Sequence, residues 1–81
     1  MDFSQDELRL AAFFVEREGK EVLARIRSAD LVAEGLLDSL DMVSLAVFIE
    51  REFGVKLELA DPATFQGMRR FDSLCGLVIR R

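Results

Sequence analysis

Between Ser39 and Phe53 apolar residues recur every three to four positions, and they do so on two sides of the helix that this spacing predicts. At roughly 100° per residue, Met42, Leu45, Ala46, Ile49 and Phe53 share one face. Leu40, Val43 and Val47 gather on nearly the opposite face, flanked by Ser44 and Arg51. One face suffices for a core. The charges of Asp41, Glu50, Arg51 and Glu52 argue against complete burial, so the second stripe is expected to meet a partner. Gly54 is the expected stop.

The start of this helix is equally informative. Asp38 precedes the periodic run as a good N-cap, and Asp41, three residues on, supplies the acid of a capping-box-like pair. If Asp38 caps, Ser39 occupies the first helical position with a free hydroxyl. The alternative is that Ser39 is itself the cap, since helix starts favour serine. Asp38 makes a second capping side chain redundant, however, and a hydroxyl at the positive end of a helix is well placed to carry a phosphodiester.

Upstream, Ser4 followed by Gln5, Asp6 and Glu7 reads as a helix start. Leu8, Ala11, Ala12, Val15, Val22 and Ile26 then form an apolar stripe. Phe3, Leu10, Phe13 and Phe14 fall mostly off it, to plug the core from the flanks or to form a contact surface. A break near Gly19 and Lys20, leaving Glu21 to Arg27 as a separate turn, is preferred to one continuous helix. Residues 28–37 have no helical period and read as a loop pinned by Leu31, Val32, Leu36 and Leu37. Downstream, residues 55–59 alternate like a strand, but with no second strand to pair they are expected to be an extended connector. Asp61 and Pro62 open a turn or short helix that ends at Gly67. Asp72 or Ser73 is expected to cap a last helix whose Leu74, Leu77 and Val78 close the bundle. The fold class is therefore all-α: one small domain of three principal helices plus a short one.

At 81 residues the chain is near the size where a single core just suffices, and its half-apolar composition argues against disorder. A net charge of -4 disfavours nucleic acid as a partner. Arg69, Arg70, Arg80 and Arg81 read as solvated surface charge. With one cysteine and no histidine, zinc sites and Ser-His-Asp or Cys-His constellations are excluded within the chain. Cys75, in an apolar run, reads as a small core residue. No apolar run could span a bilayer and the N-terminus lacks signal-peptide order, so the expected location is the cytoplasm.

In Asp38-Ser39-Leu40 the chain resembles the acyl carrier protein family, whose modification signature is Asp-Ser-Leu at the start of its second helix. Asp30-Leu31, Gly35-Leu36-Leu37, Val43, Leu45 and the run from Glu50 to Val55 fall where that family places similar residues. Phe71-Asp72-Ser73-Leu74 looks like the start of its last helix. The resemblance covers about Asp30 to the C-terminus and, more loosely, the first helix.

It implies that a phosphopantetheinyl transferase attaches 4'-phosphopantetheine from coenzyme A to Ser39. The thiol of that arm would hold an acyl group as a thioester, and the protein would shuttle it between acyl-loading and acyl-transfer enzymes of a lipid or secondary-metabolite pathway. The chain would itself be a monomer and no enzyme. Asp38, Leu40, Asp41, Val43, Ser44, Val47 and Arg51 would form the recognition surface. Ser44 and Arg51 stand where the family commonly has acids, which points away from housekeeping fatty acid biosynthesis and toward a specialised carrier. Residues 34–39 also look like the loop of D-alanyl carrier proteins, so an aminoacyl carrier is the alternative within the class. Outside it, the alternative is an unmodified helical docking module.

Overall fold

A computed structural model describes residues 3–27 and 30–79. Its elements are α1 (Gln5–Glu18), a 3₁₀ turn (Lys20–Val22), α2 (Leu23–Ile26), α3 (Ser39–Phe53), α4 (Pro62–Gly67) and α5 (Phe71–Val78). The all-α class holds, and there is no strand among the described residues. Residues 55–58 run as an irregular connector, with Val55, Leu57 and Leu59 turned partly inward and Lys56 and Glu58 exposed. That alternation satisfies the core without a pairing strand.

Helix α1 begins with a reciprocal capping box. Ser4 Oγ accepts from Glu7 N at 3.1 Å, and Ser4 N donates to Glu7 Oε1 at 2.8 Å. The helix stops where the glycine predicts. Gly19 adopts φ 91°, a backbone conformation that residues with a side chain rarely adopt. The chain then turns into α2, the piece expected as a separate turn.

The buried face of α1 departs from the expected stripe. Leu10, Ala11 and Phe14 are buried, Ala12 and Val15 are half-buried, and Leu8 is 45% exposed. Two candidate stripes shared Ala11, and the one bearing the larger side chains won, because an aromatic ring removes far more apolar area from water than an alanine does. Phe3 and Phe13 pack at the margin, Phe3 edge-on against Phe71 at 6.0 Å between centroids.

Helix α5 also corrects an expectation. Neither Asp72 nor Ser73 caps it; the N-cap is Arg70, in extended conformation and without a side-chain cap. Fully buried Phe71 anchors the first helical residue in the core, so the helix begins before either polar residue. Ser73 Oγ instead donates to Gly67 O at 2.8 Å, tying α5 back to the end of α4. Leu74, Cys75 and Val78 are buried, whereas Leu77 sits at the surface margin.

The loop before α3 is held from both ends. Leu31, Leu36 and Leu37 are buried and Val32 is half-buried. Leu31 O accepts from both Leu36 N and Leu37 N, and Leu31 N donates to Arg69 O at 2.6 Å beside an isolated bridge between Asp30 and Arg70. Ser28, which opens this loop, and Arg80 and Arg81 of the arginine cluster lie outside the described residues. No helix among the described residues is long and apolar enough to cross a membrane.

Candidate functional site

Asp38 is the N-cap of α3. Its Oδ1 accepts from Asp41 N at 2.8 Å, while Asp38 N donates to Asp41 Oδ2 at 3.0 Å. Both halves of the capping box are therefore present, and Ser39 is left as the first helical residue. Its side chain is exposed and has no hydrogen-bond partner among the described residues. The N–H groups of Ser39 and Leu40 likewise have no acceptor among them, as expected at the first turn of a helix. The site thus presents a free hydroxyl beside open donors at the positive end of a helix dipole.

Asp41 does more than cap. Its Oδ1 accepts from Arg17 Nη2, an ion pair that ties the start of α3 to the last turn of α1. Burial alone would raise the Asp41 pKa, but the Asp38 N–H and the Arg17 guanidinium outweigh it and hold the carboxyl below the ordinary aspartate range. Arg17 also lies over the Phe13 ring, 5.1 Å from its centroid. Sequence reasoning missed Arg17, because a contact reaching α3 from the far end of another helix leaves no mark in local spacing.

The two faces of α3 separate as their periodicity requires. Met42, Leu45 and Ile49 are buried. Leu40 is 78% exposed, Val43 52% and Val47 51%, with Ser44 and Arg51 exposed beside them. Leu40, Val43, Ser44, Val47 and Arg51 therefore share an outward surface that begins one residue after Ser39, with Asp38 and Asp41 at its N-terminal end.

A cavity of about 290 Å³ adjoins Ser39, lined by Val32, Leu37, Met42 and Phe65 together with Asp38 and Arg69. Arg69 Nη2 pairs with Asp30 Oδ2 at 3.2 Å, and its Nε is buried without a hydrogen-bond partner among the described residues. The cavity's α4 wall, Phe65, and Arg69 were not foreseen as neighbours of Ser39; they arrive there through the contact between the residue 30–37 loop and the α4–α5 junction. Among the described residues no cluster of three or more His, Cys, Asp or Glu could hold a metal ion.

Compared with family models, with curated proteins and with solved structures, the chain matches none.

Proposed function

We propose that the chain is an acyl carrier protein that bears 4'-phosphopantetheine on Ser39. One observation carries the reading: Asp38 and Asp41 complete the helix cap between them, leaving the Ser39 hydroxyl exposed and unengaged at the helix start. A phosphopantetheinyl transferase would join Ser39 Oγ to the phosphate of the pantetheine arm. The hydroxyl loses its proton and the nucleotide half of coenzyme A departs. The open N–H groups of Ser39 and Leu40 suit the resulting phosphodiester anion. When attached, the arm supplies a thiol that holds cargo as a thioester.

Acyl-loading and acyl-transfer enzymes would make and break that thioester, so the chain contributes attachment and recognition and no catalysis of its own. Leu40, Val43 and Val47 give those enzymes an apolar surface beside the attachment point, with Ser44 and Arg51 in place of acids. This composition favours a specialised carrier in lipid or secondary metabolism, working as a cytoplasmic monomer. An aminoacyl carrier is the second reading. The apolar part of the cavity wall next to Ser39, formed by Val32, Leu37, Met42 and Phe65, favours the acyl cargo, whose hydrocarbon it would shield from water.

Intact-mass measurement after incubation with coenzyme A and a broad-specificity transferase tests the proposal. One phosphopantetheinyl group should be added, and none to Ser39→Ala. No gain with several transferases would leave the unmodified docking module as the better account; a gain that survives Ser39→Ala would move the site.

A further inference from the structure

Helices α1 and α3 leave a groove of about 380 Å³ between them, on the outward side of α3. Phe13 comes from α1, and Val43, Ser44, Val47, Phe48 and Arg51 from α3. The rings of Phe13 and Phe48 lie 5.5 Å apart and tilted, giving the groove an aromatic wall that packing between the helices holds in place. A cleft of this size takes an apolar side chain from a partner, with the two valines as its other surface.

The lining of the groove carries charge of one sign only. Arg51 is its sole charged lining residue, is exposed, and has no ion-pair partner among the described residues. Toward the start of α3, Asp41 is already paired with Arg17, whose guanidinium sits over Phe13. Glu16, Glu50 and Glu52 do not line the groove, and Glu52 lies on the Arg9 side of α3, where its carbonyl accepts from Arg9 at 2.5 Å. A basic partner would thus meet an unpaired guanidinium and no free carboxylate within the groove. A partner carboxylate would find its complement.

We infer that the α1–α3 groove docks a partner surface that inserts an apolar side chain between Phe13 and Val47 and sets a carboxylate against Arg51. This chemistry is the reverse in sign of what the chain's net charge of -4 suggests, because the overall charge does not describe this face. The inference rests on the carrier reading only in taking the partners to be enzymes that approach Ser39. The groove and its charge stand independently of the arm.

The test uses two amphipathic helical peptides, identical except that the residues flanking a central leucine are glutamate in one and lysine in the other. Amide chemical shifts of the folded protein are followed during titration with each. The glutamate peptide should bind at least about threefold more tightly, as expected for an exposed ion pair at a docking rim. It should move the amides of Phe13, Val43, Val47 and Arg51, and Arg51→Glu should reverse the preference while leaving the circular dichroism spectrum unchanged. Preference for the lysine peptide, equal binding, or shifts confined to another face would each overturn the inference. So would concentration-dependent shifts of these amides in the protein alone, which would assign the groove to a second copy of the chain. Loading of Ser39, read by intact mass on the same wild-type sample, keeps the two readings apart. A loaded protein without the charge preference refutes the groove inference alone, and an unloadable protein with it refutes only the carrier.

Discussion

Replacing Asp38 and Ser39 one at a time by alanine distinguishes a residue that holds the helix start from one that only stands there. Asp38→Ala removes the acceptor that Asp41 N uses at 2.8 Å and leaves that donor to water. Loss of an N-cap side chain costs about 1 kcal/mol, within a range of roughly 0.5–2. The reciprocal bond from Asp38 N to Asp41 Oδ2 involves the backbone of residue 38 and survives the change, so the cost should not exceed one cap. For a domain of this size 1 kcal/mol corresponds to a fall in melting temperature of about 4–8 °C. Asp38→Asn keeps an acceptor and should recover most of that loss, short of the charge–dipole contribution of about 0.3–1 kcal/mol. Ser39→Ala removes no hydrogen bond among the described residues and places the best helix former in the first turn, so its midpoint should stay within about 0.5 kcal/mol of wild type. Urea and thermal unfolding of the three variants, followed by circular dichroism, give the ranking. If Ser39→Ala proved the most damaging, Ser39 would be the cap, and the reasoning that frees its hydroxyl would fail.

Two further outcomes follow from burial and from titration. Val47→Glu, on the exposed side of α3, should fold with a midpoint within about 0.5 kcal/mol of wild type, whereas Ile49→Glu would bury an unpaired charge and should unfold the domain; equal damage by both in urea titrations would show the outer stripe to be core. In acid, Asp30 and Asp41 should both contribute to unfolding. The Ala33 N–H, against the opposing effect of burial and with help from Arg69 and the Val32 N–H, lowers the Asp30 pKa as the Asp38 N–H and Arg17 lower that of Asp41. Since folding weakens proton binding at both, their stabilisation is present above the ordinary aspartate value of about 3.9 and is lost as pH falls through their lower folded values. Urea midpoints should therefore drop below about pH 4, less steeply for Asp30→Asn, while the absence of histidine removes any imidazole contribution between about pH 5 and 8. An Asp30→Asn variant with an unchanged acid slope would contradict the assignment to Asp30.

Local chemistry was legible in the sequence where it stayed local. The bounds of α3, its Asp38 cap, the breaks at Gly19 and Gly54, and the separation of Met42, Leu45 and Ile49 from Leu40, Val43 and Val47 all depend on residues within a turn or two of each other. In α1 the periodicity misled, and at α5 the capping rule did. The α1 pattern admitted two stripes, and total side-chain volume decided between them. At α5 the burial of Phe71 set the helix start ahead of the polar residues that a capping rule selects. The surroundings of Ser39 were illegible for a third reason: Arg17, Phe65 and Arg69 reach it across the bundle, through packing that no spacing encodes.

The clip between residues 30–31 and 69–70 separates what α3 specifies alone from what only the assembled bundle supplies. Helix α3 is closed by its own capping box and by Gly54 at φ 69°, so its ends need nothing downstream. The cavity beside Ser39 needs Phe65 and Arg69, and the loop over it needs the carbonyl of Arg69. The cap at Ser39 is therefore specified within α3 itself, whereas the cavity exists only where distant segments of the chain have been joined at the α4–α5 junction. Damage to the α4–α5 junction should therefore deform the cavity while the reciprocal Asp38–Asp41 cap keeps its own hydrogen bonds.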